Sequence, residues 1–109
     1  MSAVAKPVTV VDLSAYRSSG VRVFAGRERG KKVRTAAALD RLDHQPDSVE
    51  VRIPDDVFSV NSSFFLGMFG RSIRTLGEDR FREKYEFVGK DIARVIEDGI
   101  KEALRSKSP

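Results

Sequence analysis

Two adjacent serines stand at the start of an apolar stretch, in the segment NSSFFLGMFG of residues 61–70. A serine hydroxyl at the beginning of a helix accepts a hydrogen bond from a free backbone amide and stabilises the helix. The same hydroxyl is a target for phosphorylation, because a phosphoryl group gains from the free amides and the helix dipole. Asn61, Ser62 and Ser63 are all suited to cap this helix. For the serines, capping is the commoner role, and phosphorylation of Ser62 or Ser63 is the functional alternative.

A second candidate site is the basic segment GRERGKKVR, residues 26–34. It is not a nucleotide-binding phosphate loop, because that motif has four residues between its glycines and a hydroxyl residue after its lysine. Here three residues separate Gly26 from Gly30, and Lys31 is followed by Lys32. The basic side chains still surround an expected helix start, where free amides favour anions, although an ordinary solvated turn is the alternative. The residues expected to contact an anion, a nucleic acid or an acidic protein surface are Arg27, Arg29, Lys31, Lys32 and Arg34.

Few residues are suited to catalysis or to metal binding. The chain has no cysteine and one histidine, His44, which excludes thiolate chemistry and a histidine-rich metal site. Asp55 and Asp56 follow an expected strand, a common place for catalytic groups, but Pro-Asp-Asp is also an ordinary turn composition. A Gly-x-Ser-x-Gly nucleophile elbow is missing from the sequence. We therefore expect no catalytic residue, no metal site and no cofactor, in a protein that is not an enzyme.

The charge balance is compatible with an acidic partner. Twenty Lys and Arg residues against sixteen Asp and Glu residues give a net charge of +4. A positive charge favours nucleic acids, phosphorylated ligands and acidic protein surfaces as partners. The acidic residues are scattered among the basic ones, however, and this mixture weakens the prediction of a nucleic-acid-binding protein.

The length and the apolar pattern indicate one cytoplasmic domain. A chain of 109 residues has room for one modest core. Its apolar runs are shorter than the roughly 20 residues of a membrane helix, and its first residues lack the layout of a signal peptide. We expect flexible termini at residues 1–7 and 106–109, a single domain at 8–105, and no membrane partner.

Strands and helices are expected to alternate along the chain. The period-two pattern and the valine content predict about four strands, within PVTVVDLSAY (7–16), VRVF (21–24), VEVRI (49–53) and FREKYEFVG (81–89). Helical periodicity predicts about three helices, within residues 25–43, 61–77 and 91–107. A turn is expected at RSSG, residues 17–20. Such an order predicts a single α/β domain, with a sheet of about four strands and the helices packed mainly on one face.

The second helix carries more apolar surface than one core contact covers. Its large apolar residues between positions 64 and 69 take up more than half of the helix circumference. Apolar surface left over by the core is a typical site of association. The residues expected to bind a protein partner are Phe58, Asn61, Ser62, Phe64 and Met68.

The order of these motifs resembles the bacterial STAS-like domains of unknown function, over residues 20–104. The resemblance rests on GRERGKKVR, a valine-rich strand, NSSFFLGMFGRSIRTLG and FREKYEFVG, and it implies the STAS-type α/β fold. The better-known relatives are anti-sigma factor antagonists, which dock on a kinase-like anti-sigma factor. Phosphorylation of a serine at the start of their second helix breaks that complex. By position Ser62 matches this serine and Asn61 the aspartate before it, while Phe64 stands where those antagonists usually carry glycine.

The sequence therefore favours a non-enzymatic regulatory module that docks on another protein through the loop and helix around residues 58–70. The resemblance implies a kinase-like ATPase or another regulator as the partner, and phosphorylation as the switch. The alternative is a nucleic-acid-binding domain that uses the GRERGKKVR segment. A homodimer is compatible with either interpretation.

Overall fold

A computed structural model of the protein describes residues 7–17, 22–57 and 59–105, which form one α/β domain. Its strands in chain order are β1 (Val8–Asp12), β2 (Val23–Phe24), β3 (Ser48–Ile53), β4 (Ser59–Val60) and β5 (Tyr85–Gly89). Its helices are α1 (Arg27–Ala36), α2 (Leu39–Leu42), α3 (Ser62–Leu76), α4 (Glu78–Lys84) and α5 (Ala93–Arg105). A short 3-10 helix, Leu13–Tyr16, follows β1. The predicted α/β class is confirmed.

The described strands form two small parallel sheets, where the sequence predicts a single sheet of about four strands. The larger sheet has the order β1-β3-β5, and Val51 at its centre pairs with Val11 on one side and Phe87 on the other. The smaller sheet pairs β2 with β4, where Val23 lies opposite Ser59. Parallel neighbours need long crossover connections, and helices lie within each of these connections.

The two sides of the larger sheet differ in burial. The alternating residues Val49, Val51 and Ile53 of β3 are buried, as the period-two pattern predicts. On β1, in contrast, Val8 and Val10 are 63% and 45% exposed. One side of the sheet thus belongs to the core, and the other carries exposed side chains.

The prediction of a strand over the whole of FREKYEFVG is wrong for its first half. Gly77, with a φ of 83°, ends α3, and α4 begins at the next residue with Glu78 and Asp79 in its first turn. Acidic residues at that position interact favourably with the helix dipole. Phe81 and Tyr85 are both buried with stacked rings 5.0 Å apart, so the apolar spacing of four residues belongs to a helix that runs into β5.

Two further predicted elements are shorter than expected. The first strand ends at Asp12, because its carboxylate accepts a hydrogen bond from the Ser14 amide and begins the 3-10 helix. The helix predicted over residues 25–43 is broken between α1 and α2, where Ala38 adopts a left-handed conformation with φ of 58°. Most of the predicted turn at 17–20 and the termini at 1–6 and 106–109 lie outside the described residues.

Helix α3 runs through the centre of the core. Its side chains pack against α1, α5 and α4. The ring of Phe69 contacts the rings of Phe65, Phe81, Tyr85 and Phe87 at centroid distances of 5.1 to 6.0 Å. This aromatic cluster fixes α3 against the larger sheet and so fixes the position of its first turn. Within the described ranges, every helix is too short or too polar to cross a membrane.

Candidate functional site

Asn61, and neither serine, caps the start of α3. Its side-chain Oδ1 accepts a hydrogen bond from the Phe64 amide at 2.9 Å, and its backbone amide donates to the Phe24 carbonyl at 2.9 Å. Ser62 and Ser63 follow in the first turn with exposed side chains. Neither hydroxyl is hydrogen-bonded to another described residue. The predicted helix start is confirmed, and the capping role falls to the residue before the serines.

The cap can be tested by paired substitutions. Asn61→Ala is expected to lower the free energy of unfolding by about 1 kcal/mol, because the Phe64 amide loses its acceptor. Ser62→Ala is expected to change it by less than about 0.5 kcal/mol, as for an exposed residue without partners. Urea denaturation followed by circular dichroism measures both. A larger loss from Ser62→Ala than from Asn61→Ala would show that the serine is the cap.

Phe64 and Met68 are not available for direct contact with a partner. Phe64 is 1% exposed and Met68 is 0% exposed, so the prediction that both belong to a protein-binding surface is wrong. Phe64 packs its ring against Phe24 at 5.1 Å, and α1 and α5 cover α3 from different sides. The apolar residues of α3 therefore find core contacts around most of the helix. Phe58, also predicted to bind, lies outside the described residues.

Helices α1 and α3 cross at two glycines. A Cβ atom on Gly30 would lie 2.2 Å from the Phe64 carbonyl oxygen, and a Cβ atom on Gly67 would lie 2.1 Å from the Arg27 carbonyl oxygen. Both distances are far below van der Waals contact, so the backbones meet only because these residues have no side chain. This crossing places the basic residues of α1 beside those of α3.

Four of the five basic residues predicted to contact an anion are exposed. Arg27, Arg29, Lys31 and Lys32 lie on the surface of α1, while Arg34 is only 7% exposed. The sequence shows a charged side chain in a basic segment but not the partners that bury it. The prediction that Arg34 offers its charge to an external anion is therefore wrong.

The Arg34 guanidinium donates hydrogen bonds to four residues, which lie in α2, directly after α2 and in α3. It donates to the Asp40 carboxylate at 2.7 and 3.0 Å and to the Asp43 carboxylate at 2.8 Å. It also donates to the Met68 carbonyl and the Ser72 hydroxyl, each at 2.8 Å. Hydrogen bonding from Arg34 lowers the pKa of the Asp40 carboxyl below its usual value. Arg34 therefore ties α1 to the chain after it and to α3.

Asp43 is the buried carboxylate of this cluster, with 6% exposure. Besides Arg34, it accepts hydrogen bonds from the Ser72 hydroxyl at 2.7 Å and from the Tyr85 hydroxyl. Burial, followed by the hydrogen bond to Asp43, raises the pKa of Tyr85 above its usual value. Among the described residues, no buried side-chain nitrogen or oxygen is left without a partner. The cluster is a closed structural network, with no group left over for a ligand.

A groove of about 500 Å³ lies where α1, α3 and α5 meet. Arg27 and Lys31 enter it from α1, and Arg71 and Arg74 from α3. The sequence interpretation missed the two arginines of α3 because they lie about 40 positions from the basic segment. Their spacing of three residues, one turn beyond Gly67, is the signal that places them on one side of the helix.

The carboxylates after β3 are not drawn together into a reactive pair. Asp56 forms an ion pair with Arg17 at 2.9 Å, and Asp55 is exposed in the turn. Within residues 7–17, 22–57 and 59–105, no group of three or more His, Asp or Glu side chains is arranged to hold a metal ion.

Comparison of the chain with protein-family models, with curated proteins and with solved structures finds no match in any of the three. The resemblance to STAS-like domains therefore remains a prediction from motif order. The exposed start of α3 and the basic groove are the two surfaces of the described chain from which a function is inferred.

Proposed function

We propose that the protein is a non-enzymatic regulatory module of the cytoplasm that docks on another protein through the start of α3. The observation that carries the proposal is the cap: Asn61 satisfies the Phe64 amide, so Ser62 and Ser63 stay exposed without a capping role. Two unpartnered hydroxyls in the first turn of a long helix are available to a partner or to a modifying enzyme.

The docking surface is fixed by contacts with the core beneath it. Phe64 and Phe65, directly after the serines, are buried in the core, and the Asn61 amide is bonded to β2 through the Phe24 carbonyl. Because this surface is already ordered, little conformational entropy is lost from it when a partner binds. The antagonists usually carry glycine where this chain has Phe64. Because the Phe64 ring is buried against Phe24, it does not block access to Ser62.

Phosphorylation of Ser62 is the switch that we propose for this surface. A phosphoryl group there interacts favourably with the free amides and dipole of α3, so the domain stays folded. It also adds about two negative charges to the docking surface, enough to disrupt a complementary partner. The resemblance to STAS-like domains supports this reading, and a kinase-like ATPase is the class of partner that it implies.

We expect Ser62→Asp to release a bound partner. The measurement is affinity co-purification from nuclease-treated lysate of the native host, comparing the wild-type chain with Ser62→Asp and with Thr75→Asp. Thr75 is exposed near the far end of the same helix, so the control adds the same charge away from the docking surface. A stoichiometric partner lost only in Ser62→Asp supports the proposal.

Phosphopeptide analysis of the protein from its native host tests the switch separately. We expect a fraction of the chain to carry phosphate on Ser62 or Ser63. In the co-purification, loss of the partner from both Ser62→Asp and Thr75→Asp would indicate a general charge effect. A partner retained by both variants would place the docking surface elsewhere. A chain that is never phosphorylated would remove the switch and leave the docking proposal in place.

A further inference from the structure

The groove between α1, α3 and α5 gathers four exposed cationic side chains in one place. Arg27 and Lys31 are one turn apart on α1, and Arg71 and Arg74 are one turn apart on α3. The glycine crossing described above brings the two pairs to the same groove. Like charges that converge in this way repel each other unless an anion lies among them.

Two carboxylates, Asp40 and Glu102, line the groove beside these cations. Glu102 is paired with Arg105 at 3.1 Å, so the carboxylates of the described chain neutralise the four cations only in part. Arg27 and Arg74 form no ion pair with another described residue, and Arg71 approaches Asp40 no closer than 3.9 Å. Asp40 is already engaged by the buried Arg34 at 2.7 Å. Lys31 has an exposed partner, Glu28, at 3.4 Å, a surface pair that contributes little. The groove therefore keeps an unbalanced positive charge.

The lining of the groove identifies the class of anion. Arginine binds phosphate with paired hydrogen bonds, and three arginines and a lysine around one volume suit more than one phosphate group. The groove residues include no aromatic side chain on which a base stacks, as single-stranded nucleic-acid sites use. A volume of about 500 Å³ lies in the range of small-molecule sites.

We infer that this groove binds a small ligand that carries two or more linked phosphate groups. Arg71 and Arg74 hold one end of the phosphate chain from α3, and Arg27 and Lys31 hold the other from α1. Leu66 and Ala103 supply an apolar wall for the remainder of the ligand. The inference is independent of docking at Ser62, since none of the four cations is part of that surface.

Inorganic tripolyphosphate is the probe that tests the site. Isothermal titration of the full chain at physiological ionic strength is expected to give saturable binding at one site, with weaker binding of orthophosphate. The double variant Arg71→Gln/Arg74→Gln is expected to weaken binding at least about tenfold, because a hydrogen bond between charged partners is worth a factor of ten or more. The matched control Arg29→Gln/Lys32→Gln removes two exposed charges of α1 that do not line the groove, and is expected to change affinity less than about twofold.

The same titrations contain the results that overturn the inference. Absence of saturable binding, or an equal loss in the two double variants, would show that the groove has no specific phosphate site. A single-stranded oligonucleotide that binds more tightly than tripolyphosphate, and is weakened by Arg29→Gln/Lys32→Gln, would assign the basic surface to nucleic acid. Thermal unfolding of each variant confirms that the chains compared are folded.

Discussion

Asp43→Ala is expected to lower the free energy of unfolding by about 3–5 kcal/mol, because it removes the carboxylate from a buried charged cluster. Asp43 accepts hydrogen bonds from Arg34, Ser72 and Tyr85. Its loss leaves the Ser72 and Tyr85 hydroxyls without this acceptor and the Arg34 charge with less compensation. Unsatisfied buried donors each carry a desolvation cost of about 1–3 kcal/mol. Urea denaturation followed by circular dichroism measures the effect.

Asp40→Ala is the matched control for this prediction. Asp40 binds the same guanidinium at 2.7 Å, but its side chain is 67% exposed. Solvent screens the pair, so its removal is expected to cost at most about 1 kcal/mol. Equal losses from the two substitutions would mean that burial of Asp43 does not govern the strength of the cluster.

Gly67→Ala is expected to lower the free energy of unfolding by about 3 kcal/mol or more, since a methyl group there meets backbone rather than a movable side chain. The added Cβ would lie 2.1 Å from the Arg27 carbonyl oxygen, so α1 must move away from α3. The displacement separates Arg27 and Lys31 from Arg71 and Arg74. Tripolyphosphate binding is therefore expected to fall in the fraction of the protein that remains folded.

Gly70→Ala, one turn further along the same helix, is the control. The nearest neighbour of its Cβ would be the Arg74 guanidinium, at 3.4 Å, which is ordinary contact with the end of a flexible side chain. The gain in helix propensity is worth about 0.5–1 kcal/mol, so the variant is expected to be as stable as the wild type or slightly more so. A Gly67→Ala variant as stable as Gly70→Ala would contradict the close crossing.

The parts of the fold that follow from local periodicity could be predicted from the sequence. The alternation of VEVRI predicts β3, the apolar stripe after residue 91 predicts α5, and the polar start of NSSFF places the start of α3 within residues 61–63. The misassigned segment is the one where two patterns compete. In EDRFREKYEF the four-residue spacing of Phe81 and Tyr85 favours a helix, while the alternation around Tyr85 favours a strand, and the chain uses both.

The parts that depend on distant contacts could not be predicted from one sequence. In the sequence Arg34 cannot be distinguished from its basic neighbours. Only its hydrogen bonds to Asp43 and Ser72 in the folded chain show that it is buried. The large apolar residues of α3 predicted a docking surface, because the pattern of one helix does not show how many other helices pack against it. The basic groove likewise depends on the helix crossing at Gly30 and Gly67. A glycine in a helix does not by itself indicate which other helix packs against it.

The most direct test of docking at the start of α3 is site-specific photo-crosslinking in the native host. A photoreactive amino acid placed at position 63 is compared with one at position 86, where Glu86 is exposed in β5. We predict that position 63 crosslinks to one protein partner, that position 86 does not, and that Ser62→Asp in the same chain abolishes the crosslink. Crosslinking of the same partner from position 86 alone, or at both positions regardless of Ser62→Asp, would contradict docking at this site.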